Sequence, residues 1–269
     1  MKVALLISTY NRPDALEVVL DSVSRQTRLP DEVIIADDGS RDDTREVIDR
    51  LRETTLKGIT VKHVWQEDNG YRLTKIRNKA IAATTCDYLI QIDGDAMLHP
   101  RFVEDHARLA RPGYFIKGVR SHLNKELTEE ICASRKSRVV SWLDKRYEEK
   151  RINALKNPLL SRLMNGYRRR RNDMMGCNCS FWVDDLYMIN GYDETIEGYS
   201  PEDRDLSGRL MRSGIKKQEL RFGGIQYHLW HPELSRARFA ENDRYIKEQA
   251  RKQINRAPLG LDQYERAKH

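Results

Sequence analysis

The first half of the chain alternates short apolar runs with amphipathic segments, and this alternation restricts the folds available to it. The apolar runs are typical of strands, and the segments between them have the apolar spacing of helices. Short connections between such elements indicate a parallel sheet covered by helices on both faces. The predicted fold class is therefore α/β, with a mostly parallel central sheet. The strand patterns, in order, are KVALLIST, DEVIIADDGS, ITVKHVWQ, DYLIQID and GYFIKGV.

Polar residues follow three of these predicted strands. The three polar ends are STYN, ADDGS and DGDA. Ligands of open α/β sheets bind in the crevice outside the carboxyl ends of the strands. The sequence therefore predicts a ligand site where these three ends meet.

The last of these ends places Asp93 and Asp95 on either side of Gly94. Taken alone, such a tripeptide is more often a solvated turn than a site. Its carboxylates could instead hold Mg²⁺ or Mn²⁺, which prefer oxygen ligands and share substrate phosphates. His228 and His231, at the end of a later strand pattern, could add an imidazole and favour Mn²⁺.

Two other acidic clusters have both structural and functional interpretations. Asp37 and Asp38 precede a glycine and suit a turn, but either could accept a hydrogen bond from a base or a ribose. Ser200 and Asp203 have the spacing of a capping box at the start of a helix. Glu202 has no such structural role, and a carboxylate there could act as a general base.

The charge of the 269-residue chain is uneven. Its net charge is +7, but residues 132–171 contain 13 Lys or Arg and 3 Asp or Glu. That segment therefore carries +10 and the rest carries −3, which indicates one anionic partner surface. The segment is predicted to be helical. No nucleic-acid-binding signature accompanies it, so no nucleic-acid partner is expected.

Three interpretations of this basic segment stay open. It could be a solvated surface, or it could bind an anionic glycan or lipopolysaccharide core. It could also lie on an anionic membrane, with apolar side chains entering the interface and arginines on the headgroups. The apolar side chains are Trp142, Leu159, Leu160 and Met164, and the arginines are Arg168–Arg171.

Cysteine usage and hydropathy bear on location. The four cysteines lack the spacing of a disulfide framework, which favours a reducing compartment. No apolar run approaches the roughly 20 residues of a membrane span. The short N-terminal apolar run is interpreted as a first strand and not as a signal peptide. We expect a cytoplasmic protein, peripheral on the inner face of the cell membrane if the basic segment binds lipid.

Together, these motifs resemble the inverting family 2 glycosyltransferases, which have a nucleotide-diphospho-sugar-binding GT-A fold. The resemblance rests on the order and spacing of the three strand ends within LLISTYNRPDALEVVLDSVSRQTRLPDEVIIADDGSRDDT and LTKIRNKAIAATTCDYLIQIDGDAMLHP. The later stretch GCNCSFWVDDLYMINGYDETIEGYSPEDRDLSGRLMRSG, with QYHLWHPE, is similar to a galactosyltransferase-type C-terminal region.

This resemblance covers residues 1–118 and 174–235. It implies a nucleotide-sugar-binding half over 1–118 and an acceptor and catalytic half over 174–235. Residues 119–173 are then a basic helical insert, and 236–269 a C-terminal helical tail. The GYSPED stretch lacks the tryptophan found in many galactosyltransferase-like loops, so donor and acceptor identity stay unassigned.

The resemblance also implies roles for individual residues. Asp203 is the expected catalytic base and Glu202 a contact to acceptor or donor sugar. Asp95 is the expected metal ligand, completed by His231 or His228, with His231 preferred. The remaining residues are expected to bind the nucleotide-sugar: Thr9, Tyr10 (against the uracil), Arg12, Asp37, Asp38 (facing the base), Arg77 (base or diphosphate), Asp93 (ribose or donor sugar), Gly94 and Asn178 (donor sugar).

The implied activity is Mn²⁺- or Mg²⁺-dependent transfer of a hexose or N-acetylhexosamine from a UDP-sugar. The acceptor would be a glycan or lipid-linked glycan of the cell-surface polysaccharide or lipopolysaccharide type, and the product β-linked. The alternative is a nucleotide-sugar-binding protein without transfer activity. A sugar-phosphate nucleotidyltransferase is disfavoured because the chain has STYNRPD where that class has a glycine-rich loop.

Other residues have structural interpretations. Trp182 and Tyr192 are expected in the core. Four histidines are expected at the surface or in loops, namely His63, His99, His106 and His122.

Overall fold

A computed structural model describes residues 1–165, 174–232 and 237–267. The strands are β1 (Val3–Thr9), β2 (Glu32–Asp37), β3 (Thr60–Trp65), β4 (Tyr88–Asp93), β5 (Ala96–Leu98), β6 (Tyr114–Lys117), β7 (Ser121–Leu123), β8 (Tyr147–Glu149), β9 (Asn178–Trp182), β10 (Lys216–Glu219) and β11 (Gln226–His228). The helices are α1 (Pro13–Ser24), α2 (Asp42–Glu53), α3 (Leu73–Ala82), α4 (Phe102–Leu109), α5 (Lys125–Ser134), α6 (Pro158–Met164), α7 (Val183–Met188), α8 (Glu202–Arg212) and α9 (Phe239–Arg251).

The large sheet has the strand order β10-β6-β9-β4-β1-β2-β3 within the described ranges. Neighbours in β4-β1-β2-β3 are parallel, and so are β10 and β6. Strand β9 runs antiparallel to both of its neighbours. The predicted α/β class with a mostly parallel sheet is therefore confirmed.

Helices cover this sheet on both faces. On one face, alternate residues of β1 and β4 pack with apolar positions of α1 and α2, including Leu16 and Ile48. The opposite face packs against α3, α7 and α8, with Ile76 and Leu206 among the buried side chains. This two-sided burial explains why the strands are near-continuous apolar runs instead of alternating patterns.

A second, smaller sheet has the order β5-β11-β7-β8. The final strand pattern, which ends in His228, pairs in this sheet as β11. Strands β7 and β8 both come from the segment predicted to be a helical insert. That segment is therefore only partly helical among its described residues. Residues 166–173, which include Arg168–Arg171, lie outside the described part of the chain.

The register of the large sheet sets the position of the polar strand ends. Ser8 lies opposite Asp93 and Thr9 opposite Asp37. The three motifs predicted to meet do meet, at one edge of the sheet. Among the described residues, no helix has the length and apolar character needed to cross a bilayer.

Candidate active site

Arg77 is the centre of a charged cluster at this edge. It lies in the middle of α3 and is 2% exposed. Its Nη1 donates to Glu202 Oε1 and to Asp203 Oδ1, both at 3.1 Å, and its Nη2 to Asp93 Oδ1 at 3.2 Å. Its Nε donates to Ser8 Oγ at 3.2 Å. The guanidinium thus joins the end of β4 to the start of α8.

Asp203 is fixed by a second contact. Its Oδ2 accepts a 2.7 Å hydrogen bond from the backbone N–H of Gly176. A Cβ at Gly176 would overlap the Asp203 carboxylate, so this close approach requires glycine. Tyr192 adds a weaker contact, from its hydroxyl to Asp203 Oδ1 at 3.3 Å.

The predicted capping box is wrong. Helix α8 begins at Glu202 after Pro201, and none of the described side chains caps its first turn. The Ser200 hydroxyl instead donates to Glu202 Oε2 at 3.3 Å. Asp203 turns away from the helix terminus because Arg77 and the Gly176 N–H offer stronger, charge-assisted partners.

Burial changes the proton affinity of the two carboxyls. Desolvation, reinforced by the neighbouring Asp203 carboxylate, raises the pKa of Glu202 to about 8. Desolvation also raises the pKa of Asp203, against the opposing effect of Arg77. Two like charges this close to each other resist simultaneous ionisation. The pair therefore binds a proton at a higher pH than exposed carboxyls do, as suits a general base.

A second cluster contains Asp95, His228 and His231, whose ligand atoms all lie within 4.8 Å of one another. His228 Nε2 is 3.6 Å from Asp95 Oδ1, and His231 Nε2 is 3.3 Å from Asp95 Oδ2. Asp95 Oδ1 is fully buried and has no hydrogen-bond partner in the part of the chain that the structure describes. A buried carboxylate oxygen without a partner is costly unless a cation or donor meets it.

Both imidazoles suit metal binding. Burial lowers the pKa of His228 to about 3, which keeps the ring neutral and its lone pair available. His231 Nδ1 is 2.7 Å from the Pro232 carbonyl. A carbonyl can only accept, so Nδ1 carries the proton and Nε2 faces Asp95. The residues present therefore fit a divalent cation, and both histidines, not one, approach it.

Among the residues predicted to bind the nucleotide, some have structural hydrogen bonds within the protein and others are open to a ligand. Asp37 caps its own turn through Ser40 N and pairs with His63, at 2.8 and 2.9 Å. Asp38 accepts from Gln66 Nε2 at 2.6 Å and from Arg72 N at 2.9 Å. Both carboxylates are buried, and each has one hydrogen-bond partner on each of its two oxygens.

Thr9, Tyr10 and Gly94 are better placed for a ligand. Tyr10 is 49% exposed, and its hydroxyl donates to Asp68 at 2.9 Å. Thr9 Oγ1 is buried without a partner among the described residues. The Gly94 N–H donates to Ser8 O at 2.7 Å, and a Cβ there would crowd the Thr9 side chain.

Asn178 supports the site indirectly, because its side chain binds the backbone of two neighbouring segments. Its Nδ2 donates to Val119 O at 2.7 Å and to Gly224 O at 3.0 Å. Its Oδ1 meets His106 Nε2 at 3.0 Å. His106 is fully buried in α4, so the expectation of a surface or loop histidine is wrong for it. Its other nitrogen meets Ser180 Oγ, which satisfies the ring completely.

Comparison with known proteins identifies the family to which the chain belongs. Residues 4–175, more than half of the chain, match the sequence model described as "Glycosyl transferase family 2". The chain belongs to this family. Residues 160–232 also match the model described as "N-terminal domain of galactosyltransferase".

Two curated relatives cover most of this family 2 chain. A validoxylamine A glucosyltransferase of Streptomyces hygroscopicus subsp. limoneus is 29% identical over 79% of the chain and 48% of its own length. A chondroitin synthase of Escherichia coli is 26% identical over 84% of the chain and 34% of its own length. The chain thus spans about half or less of these relatives.

Solved structures share the fold. Staphylococcus aureus TarS, residues 1–349, has a TM-score of 0.64 at 16% identity, over 98% of this chain and 68% of that one. A mannosyltransferase of Pyrobaculum calidifontis, in complex with GDP-Man and Mn²⁺, has a TM-score of 0.61 at 16% identity. The match covers 94% of this chain and 62% of that one.

Two side chains near this site could not be predicted from the sequence. Tyr71 lies within electrostatic range of Glu202, Asp93 and Asp203, and its carbonyl accepts from Gly198 N at 2.9 Å. Arg120 lies between β6 and β7 and acts electrostatically on Asp93 and Asp95. Each follows a glycine or a strand end in an irregular segment, where no periodicity predicts a side chain's direction.

A cleft of about 830 Å³ opens beside the metal-binding cluster. Helices α1, α2 and α5 form its walls, and it meets the site at Arg12 and His231. Asp203 is not part of its lining. The cleft therefore adjoins the cation end of the site and not the end where Asp203 lies.

Proposed function

We propose that this protein is a metal-dependent inverting glycosyltransferase. It moves a hexose or N-acetylhexosamine from a UDP-sugar to a glycan or lipid-linked glycan of the polysaccharide or lipopolysaccharide type. The main support is the position of Asp203, held by Arg77 and Gly176 at the sheet edge that also carries Asp95. Family membership and a relative that is an O-antigen chain rhamnosyltransferase of Salmonella typhimurium, 35% identical over 36% of this chain, add support.

The reaction needs a base and a leaving-group site. Asp203 accepts the proton of the acceptor hydroxyl, with Oδ1 and Oδ2 fixed by Arg77 and Gly176. The acceptor oxygen forms a bond to the anomeric carbon as the bond from that carbon to the diphosphate oxygen breaks. UDP leaves with the electron pair. Attack from the face opposite UDP converts an α-linked donor into a β-linked product.

Asp95, His228 and His231 would hold Mn²⁺ or Mg²⁺, consistent with the partnerless Asp95 oxygen. Bound there, the ion would neutralise charge on the diphosphate. Imidazole ligands favour Mn²⁺ over Mg²⁺. Thr9, Tyr10 and Asp38 would contact the nucleoside, since they line the adjoining strand ends β1 and β2.

Asp93 and Glu202 complete the donor side. Both are tied to Arg77, so they are held in place before a donor binds. Asp93 is the more accessible of the two and would accept from a ribose or sugar hydroxyl. Arg77 has four of its five N–H groups occupied by Ser8, Asp93, Glu202 and Asp203. We therefore assign Arg77 to positioning carboxylates instead of the predicted contact with base or diphosphate.

The test is a screen of UDP-sugars for Mn²⁺-dependent release of UDP, with and without glycan acceptors. The wild type should turn over at least one donor, and Asp203→Asn should lower the rate by roughly 10²–10⁴-fold. Asp184→Asn, at an exposed carboxylate paired with Arg266, is the matched control and should stay active. Donor binding without turnover would identify the alternative, a binding protein of the same fold.

Contact with an anionic membrane has mixed support. Leu159 and Leu163 are each 76% exposed on α6, as membrane insertion requires. Most cations of 132–165, however, pair with carboxylates of this chain. These ion pairs are Arg135–Glu17, Lys136–Asp21, Arg138–Glu130, Arg146–Asp144, Lys150–Glu149 and Lys156–Asp105.

The structure of the described residues thus favours a solvated surface for most of the basic segment. We keep a cytoplasmic location as a proposal, with contact to the inner membrane face confined to α6 and its surroundings. Sedimentation with phosphatidylserine vesicles at low and high salt tests it. Binding that Leu159→Gln with Leu163→Gln abolishes would support membrane contact, and absence of salt-dependent binding would exclude it.

A further inference from the structure

Arg120 is a cation beside the site that pairs with no carboxylate of the described residues. Its one hydrogen-bond partner there is Cys177 Sγ, at 3.5 Å from Nη1. Its Nε is buried and finds no acceptor among the described residues. Asp93 and Asp95 are nonetheless among the charges that act on it. A partly buried guanidinium with unused donors is a costly arrangement unless an anion contacts it.

The backbone that carries Arg120 is held firmly. The Gly118 N–H donates to Asn178 O at 2.8 Å, and Asn178 Nδ2 donates to Val119 O at 2.7 Å. The Arg120 carbonyl accepts from Asn153 Nδ2 at 2.8 Å. Three consecutive residues are therefore fixed on the rim of the site before any ligand binds, and a preorganised donor loses less entropy on binding.

Arg12 lies near the same cluster and, unlike Arg120, pairs with a carboxylate, but it too has an unused N–H donor among the described residues. Its Nη1 is buried, has no hydrogen-bond acceptor within the described ranges, and lies 3.6 Å from Asp95 Oδ2. Arg120 directly precedes β7, in which His122 lies opposite His228 of β11. Two guanidinium groups with unused N–H donors therefore flank the carboxylate and imidazoles of the metal-binding cluster.

We propose that Arg120, together with Arg12, binds the diphosphate of the donor and stabilises it as the leaving group. This inference rests on the proposed function. As the bond from the anomeric carbon to the diphosphate oxygen breaks, negative charge increases on the departing phosphate. Arg120 is a catalytic residue in this scheme because its N–H groups contact that phosphate. Planar guanidinium donors match phosphate oxygens in pairs, which a lysine cannot do.

The experiment compares UDP with UMP by isothermal titration calorimetry in Mn²⁺, with GDP and GMP run in parallel. Arg120→Met should weaken diphosphate binding by roughly ten- to a hundred-fold and leave monophosphate binding within about threefold. Arg120→Lys should recover only part of the loss. Arg138→Met, which removes an arginine paired with Glu130 on the surface, should bind like the wild type. Circular dichroism melting shows whether each variant folds.

Every other outcome contradicts the proposal, and each result indicates a different explanation. If Arg120→Met and Arg120→Lys fold and bind UDP and UMP like the wild type, Arg120 has no phosphate role. An equal loss for UDP and UMP would assign Arg120 to the nucleoside side. A loss for UDP-glucuronate but not for UDP or UDP-glucose would assign it to a sugar carboxylate. If the wild type binds no nucleoside diphosphate, the proposed function itself fails.

Discussion

Arg77 Nη1 and Asp203 Oδ1 are 3.1 Å apart although 126 positions separate the two residues in the chain. The contact joins the first βα units of the sheet to α8, and Asp93 and Glu202 share the same guanidinium. One buried cation thus faces three carboxylates, which would repel one another without it. The geometry of the proposed base therefore depends on Arg77.

Replacing Arg77 should separate catalysis from donor binding. In Arg77→Met we expect transfer to fall by roughly 10²–10³-fold, because Asp203 loses the group that positions it. UDP affinity should change less than about threefold, since the side chain's donors are directed at carboxylates and not at the phosphate site. Steady-state kinetics and calorimetry with UDP provide the two measurements.

Stability is the control for this variant. Removing one partner of a buried charged network costs about 3–5 kcal/mol, so melting must be followed in parallel. Arg77→Lys keeps the charge and should restore stability more than activity. A large loss of UDP affinity in a folded Arg77 variant would support the direct diphosphate contact expected from the sequence.

Topology explains which residues of the site the sequence could predict. Asp38, Asp93 and Asp95 follow apolar runs, and parallel strands bring such ends to one edge whatever the details of packing. Arg120 carries no comparable signal, because it lies in the short irregular segment between β6 and β7. Local patterns can also mislead.

The capping box is the clearest such case. Ser200 and Asp203 have its spacing, but a local cap competes with the long-range partners Arg77 and Gly176. The long-range contacts prevail because both are charge-assisted and partly buried. The small sheet shows the same limit, since short strands such as β7 and β8 have too few residues for a periodic pattern.

Gly176 offers a way to displace the base without changing it. An added methyl would overlap the Asp203 carboxylate, so Gly176→Ala should shift that side chain or the loop. We expect kcat to fall by roughly 10²-fold while the KM for donor changes little, because the nucleotide end is untouched. Gly58→Ala is the matched control, since a Cβ there meets nothing and only its positive φ of 92° adds strain. Unchanged kcat in Gly176→Ala would show that Asp203 tolerates displacement and is not the base.

The geometry of the metal-binding cluster predicts three protein ligands for the metal, Asp95, His228 and His231, instead of Asp95 and one histidine. Asp95→Asn, His228→Gln and His231→Gln should each weaken Mn²⁺ binding by at least about tenfold. The stabilisation of wild-type protein by Mn²⁺ in thermal melts should be lost in all three. His99→Gln removes a histidine outside the cluster and should retain Mn²⁺ binding. If His228→Gln binds Mn²⁺ like the wild type, His231 and Asp95 alone provide the protein ligands.

The pH dependence of stability should report the burial of Glu202. Its pKa is about 8 in the folded protein, above its ordinary value of 4.5, so the folded state binds the proton more tightly than the unfolded state. Stability contributed by this group is therefore fully present below pH 4.5 and declines as pH rises toward 8. Glu202→Gln, which cannot ionise, should flatten that decline by several degrees of melting temperature in scans between pH 5 and 8 without ligand. Glu248→Gln, at an exposed carboxylate paired with Lys252, should keep the wild-type slope. Equal slopes in Glu202→Gln and wild type would mean that Glu202 is already ionised at pH 5 and that Arg77 outweighs its desolvation.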